Sequence, residues 1–164
     1  MIDYKGCRNK YKYNILIYIM QQVPHTVIDI SNHVNDLENA TSSVPFFTLK
    51  GNKYRAKVVH VYDGDTIHLV FEYLGHLFKW HVRIAHVDTP ELRTKNLEEK
   101  KMGYETRDKL RELIDGKMVD IVCLDFDKYG RVLAEITYNG QRIDEWLIQN
   151  SYAKPYEGKT KEMW

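Results

Sequence analysis

Through "KYRAKVVHVYDGDTIHLVFEYL", residues 53 to 74, apolar and polar side chains alternate with a period of two, and Val, Tyr and Ile abound. That period puts alternate side chains on opposite faces and predicts β-strands. Asp63-Gly64 interrupts the run and predicts a turn, and Gly75-His76 predicts another. "LFKWHVRIAHV" (77 to 87) is then a third strand, so residues 53 to 88 read as a three-stranded meander. The period changes in "LEEKKMGYETRDKLRELID" (97 to 115). Here Leu97, Met102, Thr106, Leu110, Leu113 and Ile114 mark one face at roughly helical spacing, and Gly116 is a natural terminator. "KMVDIVCLDF" and "RVLAEITY" are two more strands, separated by the turn "DKYG". Asn139-Gly140 suits a tight hairpin turn. "DEWLIQN" predicts a further helix, with Asn150 in the left-handed closing position.

The order of elements is three strands, helix, two strands, helix. This predicts an α+β fold, a five-stranded OB-type β-barrel with two to three packed helices. Trp80 and Trp146 are expected in its core. Residues 1 to 50 read as an N-terminal extension and 51 to 164 as the folded domain. Residues 21 to 50 are polar, with two prolines and Ser, Thr and Asn clusters, which predicts an arm with some helix potential around 29 to 40. "YNILIYIM" (13 to 20) follows Lys5, Arg8, Lys10 and Lys12, which faintly resembles an export signal or anchor. The run is short and no small-x-small cleavage site follows it, so an intracellular chain is expected. Met20 is an alternative start.

Composition narrows the chemistry. The formal net charge is +1, so no global field attracts a polyanion and any attraction must be local. Cys7 and Cys123 stand in unrelated contexts, compatible with a reducing compartment. His60, His68, His81 and His86 are scattered along strands without a ligand-spaced pair, which disfavours a histidine metal site. Lys154, Lys159 and Lys161 form either a basic patch or a solvated tail.

The acids gather more tightly than the composition requires. Asp63 and Asp65 precede one strand, and Asp88 and Glu91 follow another. Either stretch alone reads as turn and cap acids. Together, at one rim of a meander, they form a site for a hard divalent cation, which prefers oxygen ligands. Thr89 precedes Pro90 and is biased to extended geometry, so its carbonyl can join them. Arg83 pairs with Asp88 or Glu91, or else grips an anionic substrate through its planar fork. Arg131 opens a strand after "DKYG". Two guanidiniums and a metal ion would neutralise a phosphodiester and its extra transition-state charge.

These stretches carry a resemblance. "VYDGDT" (61 to 66), "RIAHVDTPE" (83 to 91), "GYETR" (103 to 107), "DKYGRVLA" (127 to 134) and "DEWLIQNSYAK" (144 to 154) resemble, in order and spacing, the staphylococcal nuclease (thermonuclease) family. The resemblance covers residues 53 to 154 and implies calcium-dependent hydrolysis of DNA and RNA phosphodiesters, leaving 3′-phosphate ends. It implies Asp65, Asp88 and the carbonyl of Thr89 as calcium ligands, with Asp63 as a supporting acid. It implies Glu91 as the residue that positions the attacking water, and Arg83 and Arg131 as the arginines on the phosphate. Lys128 and Tyr129 would flank the terminal phosphate, and Tyr156 would stack on a base.

The sequence departs from the family between Glu91 and Gly103, at Asn150 where glycine is usual, and in a tail with one tyrosine. Related domains also serve as non-catalytic nucleic-acid or protein-binding modules, which is the alternative. The expected partners are DNA and RNA, single-stranded regions first, bound by a monomer.

Overall fold

A computed structural model describes residues 37–158 and residue 164. The apolar run at 13 to 20, Cys7, most of the helix potential at 29 to 40, Lys159 and Lys161 lie outside the described residues. Residues 47–164 form one compact unit, and Leu49 is already part of its core.

Among the described residues this unit has eight strands and two helices. β1 (Lys53–Val61), β2 (Thr66–Tyr73) and β3 (His76–Ile84) form the antiparallel meander. β4 (Val87–Asp88) precedes α1 (Leu97–Ile114), and β5 (Met118–Phe126) and β6 (Val132–Tyr138) follow. β7 (Gln141–Arg142), α2 (Ile143–Gln149) and β8 (Lys154–Pro155) complete the chain. β1 joins β5, and β6 closes on β3 in parallel, with Val82 opposite Val132 and Ile84 opposite Ala134. Five strands, β1, β2, β3, β5 and β6, thus make the closed barrel that the order of elements predicts. Closure leaves no long unpaired edge.

The alternation along the strands becomes inside and outside of this barrel. Val58, Ile67, Leu69, Phe71, Val82, Ile84, Ile121 and Ile136 are buried within it. Trp80 stacks on Phe71 at 5.0 Å, and Trp80 and Trp146 pack half-buried against the core. At Asn139-Gly140 both residues have positive φ, 49° and 81°, the conformation that a two-residue hairpin with right-handed twist requires.

Three local expectations are corrected. The strand expected over 77 to 87 breaks after Ile84. His86 adopts φ 64°, and Val87–Asp88 leaves the barrel to pair with Lys154–Pro155. The buried face of α1 is Gly103, Thr106, Leu110 and Ile114, whereas Leu97 and Met102 are 80% and 39% exposed. Gly103 lies inward because α1 crosses the 90–92 loop closely: a Cβ there would sit 2.8 Å from the Pro90 carbonyl oxygen. The left-handed residue after α2 is Ser151 (φ 60°) and not Asn150 (φ −92°), whose side-chain amide instead donates to the Trp146 carbonyl.

Candidate active site

Four pieces of chain meet at one rim of the barrel, each held by local chemistry. The Asp63 carboxylate accepts the backbone N–H groups of Asp65 (3.1 Å) and Thr66 (2.7 Å), which bends the β1–β2 connection. Gly64 lets that bend press against its neighbours; a Cβ would meet the side chains of Thr106 at 2.7 Å and Thr89 at 2.8 Å. The β3–β6 pairing sets Arg83 beside Leu133, and the β4–β8 pairing sets Asp88 opposite Lys154. The turn after β5 is tied by Asp127, whose Oδ1 accepts the backbone N–H groups of Tyr129 and Arg131.

Charge converges where these pieces meet. Arg83 Nη2 lies 2.9 Å from Asp65 Oδ2 and 4.0 Å from Asp88 Oδ1. The same guanidinium donates to the carbonyls of Ile84 (3.2 Å) and Val87 (3.0 Å), so its plane is fixed at the strand break. Arg131 Nε donates to Asp127 Oδ2 at 2.7 Å and its Nη1 to Thr66 Oγ1 at 2.8 Å. Thr66 Oγ1 in turn donates to Asp65 Oδ1 at 2.9 Å. One threonine hydroxyl therefore links the second arginine to the carboxylate that the first arginine holds.

The rim opens into a cleft of about 980 Å³. Asp63, Asp65, Arg83, Thr89 and Glu91 line one part of it. Lys128, Tyr129, Arg131 and Tyr156 line another. Asp88 lies beneath, buried against Arg83. The Tyr156 backbone N–H bonds to the His86 carbonyl at 2.9 Å, and its ring stands 5.5 Å from the Arg83 guanidinium. Tyr129 is exposed, with Lys128 Nζ 5.0 Å and the Arg131 guanidinium 5.6 Å from its ring.

The two best-placed acids differ in their charge balance. Burial pushes the Asp65 carboxyl up to about 6; Arg83 opposes this and Asp63 adds to it. Burial would also raise Asp127, but the backbone and side-chain N–H groups of Arg131 and the Tyr129 N–H hold it below its ordinary value. Asp65 thus carries negative charge that its protein partners do not fully compensate.

Among the described residues no three His, Cys, Asp or Glu side chains converge as a ready-made metal cage. Two buried carboxylates, Asp65 and Asp88, and a neighbouring backbone carbonyl at Thr89 are all hard oxygen donors. In donor type and in sign of charge they fit a divalent cation that completes its shell with water or substrate oxygens.

Some neighbours were not singled out from the sequence. Asp127 and Thr66 position Arg131, and Pro90, Glu157 and Gly158 line the cleft; His86, which the sequence sets close to the acidic rim, lines it too. In the sequence Asp127 reads as an ordinary acid of the turn before Arg131. Trp164 donates from Nε1 to Asp88 Oδ2 at 3.4 Å, with Lys154 Nζ 4.8 Å from its ring. No motif marks that contact.

Relatives place this arrangement. Over 108 residues the chain is 38% identical to an uncharacterised protein of Bacillus anthracis, covering 63% of this chain and 49% of that one. It is 35% identical over 75 residues to a probable staphylococcal-like nuclease of Oryza sativa subsp. japonica, covering 46% and 18%. It is 28% identical over 102 residues to an uncharacterised endonuclease of Escherichia coli, covering 62% and 60%. The chain therefore spans less than two thirds of each of these relatives. Among the described residues no helix is long and apolar enough to cross a membrane. Residues 81–163, just over half of the chain, match the family described as Staphylococcal nuclease homologue, and the closed barrel with its acid–arginine rim agrees: the chain belongs to the staphylococcal nuclease homologue family.

Proposed function

We propose that this protein is a calcium-dependent nuclease that hydrolyses phosphodiester bonds of DNA and RNA and leaves 3′-phosphate ends. The observation that supports it best is the hydrogen-bonded chain Arg131–Thr66–Asp65 meeting the Asp65–Arg83 ion pair at the mouth of one cleft. Two fixed guanidiniums there suit a tetrahedral anion gaining charge, and the carboxylates between them suit a cation.

Asp65, Asp88 and the Thr89 carbonyl would hold calcium, with Asp63 supporting the turn that carries Asp65. When bound, calcium supplies Lewis-acid polarisation of the phosphodiester and offsets its charge. Glu91, on the cleft wall, orients a water molecule and takes its proton as the oxygen attacks phosphorus. Arg83 and Arg131 hold the non-bridging oxygens as a fifth ligand joins phosphorus. The bond to the 5′ oxygen breaks, that oxygen takes a proton from solvent, and the phosphate stays on the 3′ side. Lys128 and Tyr129 bind the terminal phosphate, and Tyr156 stacks beside Arg83.

The test is cleavage of single-stranded DNA by the full chain with calcium and with chelator. Glu91→Ser and Arg83→Ala serve as controls. Calcium-dependent cleavage that each substitution lowers by about 10²-fold or more supports the reading. Full-rate cleavage by folded Arg83→Ala, or binding without cleavage by the wild type, overturns it.

A further inference from the structure

Outside the cleft, β1, β2 and β3 carry three histidines in one row. His60 stands opposite His68, and His68 stands opposite His81. A β-bulge builds the row. The register shifts between Val58 and His60, so that His60 turns outward after Val59 instead of following the inward alternation of Val58. The rings of His68 and His81 stack at 4.4 Å, and those of His60 and His68 lie 5.2 Å apart. The first pair is stacked and the second tilted by 47°, and among the described residues no three such groups converge to hold a metal ion. The row therefore suits an extended partner better than a single ion.

Its position follows from register. Arg83 lies opposite Thr66, His81 opposite His68, and Lys79 opposite Val70, which is itself opposite Lys57. Residues two apart along a strand share a face. The outer face thus runs from the cleft pair Arg83–Thr66 to the histidine row, and then to Lys79 and Lys57. Each step is about 7 Å. His60, His81, Lys57 and Lys79 are exposed, and His68 is half-buried.

The acids of this outer face, Glu72 and Asp120, lie beyond the lysines and not in the histidine row. Glu72 is one row beyond the lysines, opposite Leu77. Asp120 on β5 pairs with Arg55 at 3.3 Å, and Asp115 caps the end of α1. Burial, followed by His81, His60 and Lys79, pulls the His68 imidazole below its ordinary value, as a face crowded with cations would.

We infer that this outer face of β1–β3 is a track for the sugar–phosphate backbone of a single-stranded nucleic acid leaving the cleft, gripped by the histidine row and the lysines beyond it. The inference rests on the nuclease reading for its occupant, and on charge complementarity and continuity with Arg83–Thr66 for its path. It gives the chain a local positive strip despite a net charge of only +1. Histidine protonation falls in the range where small pH changes alter charge.

The experiment compares the wild type with His60→Asn/His68→Asn/His81→Asn. Binding of a long fluorescent oligothymidylate is measured in chelator at about pH 7.5 and about pH 5.5. Calcium-supported cleavage of a trinucleotide is measured alongside. The triple variant should bind the long oligomer on the order of tenfold more weakly at acid pH. Its salt slope should fall by roughly 0.7 for each phosphate that the histidines no longer neutralise, while trinucleotide cleavage stays unchanged. A second variant, His60→Lys/His81→Lys, should bind at neutral pH as tightly as the wild type does in acid.

Wild-type affinity and slope in the triple variant overturn the track, and so does weaker neutral binding by the lysine variant. If trinucleotide cleavage persists in those cases, the nuclease reading stands. A wild type that binds through the histidines yet never cleaves leaves the track and overturns the nuclease reading. A wild type that binds no oligomer overturns the track as well.

Discussion

The barrel interior and its rim are built from the same strands but obey opposite rules. Inside, Ile67, Val82 and Ile84 are buried among apolar neighbours, and each contributes by leaving water. At the rim, one residue away along the same strands, Thr66 and Arg83 are also buried but are held by hydrogen bonds and an ion pair. Burying a charge is costly unless its partners compensate it. Asp65, pushed up to about 6 by burial despite Arg83 at 2.9 Å, is a carboxylate whose compensation falls short. The interior stabilises the fold; the rim gives up stability to hold charges in place.

The sharpest test of the first half is Ile67→Ala. Removing this side chain leaves a cavity inside the barrel and should destabilise by about 4 kcal/mol. Ile67 neighbours Thr66 in sequence but faces away from the cleft, so activity per folded molecule should change little. Chemical denaturation and cleavage assays on the same preparation check the separation. A large fall in activity among molecules that remain folded would show that interior and rim are one unit.

At the rim the expected sign reverses. The Asp65 carboxyl rises from 3.8 to about 6, so in calcium-free protein the folded state holds this proton more tightly than the unfolded chain does. The stability this group contributes is then greatest below about pH 4 and falls as pH rises towards 6. Asp65→Asn mimics the protonated group. It should stabilise the calcium-free protein at pH 7 by on the order of 3 kcal/mol, with the gain vanishing below about pH 4. Added calcium should raise the melting midpoint of the wild type and leave that of the variant unmoved, because a ligand stabilises only the state that binds it. Destabilisation at neutral pH would mean that Arg83 needs the Asp65 charge more than the burial argument allows.

The same division decides what is legible in the sequence. Interior residues announce themselves by period, so the five barrel strands and α1 are legible, and Asn139-Gly140 is legible because few other dipeptides accept two positive φ angles. The rim acids and arginines stand out as a cluster whose charges need one another. The break at Ala85-His86 is not legible, since His86 takes φ 64° inside an unbroken alternation and only the pairing of β4 with β8 accounts for it. The inward face of α1 differs from the expected one because Gly103 adds no hydrophobicity; it is buried for closeness to Pro90. Asp127 looks like an ordinary turn residue, and only its two bonded oxygens reveal that it aims Arg131. The histidine row is hidden by the bulge, which no alternation pattern anticipates.

Gly64 joins the two regions and supplies the smallest expected stability effect with a larger functional one. As part of Asp-Gly it reads as a residue chosen for a turn, yet it is not among the glycines with positive φ. What glycine provides here is room: a Cβ would fall 2.7 Å from Thr106 Cγ2 and 2.8 Å from Thr89 Cβ and Oγ1. Both threonines are buried and β-branched, so neither can swing aside cheaply. Gly64→Ala should destabilise by about 2 kcal/mol through overpacking. The strain has two outlets. Moving Thr106 disturbs α1, while moving Thr89 shifts the backbone that follows Asp88 away from Asp65. If the second outlet dominates, the calcium concentration for half-maximal cleavage should rise well beyond what the destabilisation explains. An unchanged calcium requirement in a destabilised variant would assign the strain to α1 and leave the rim rigid.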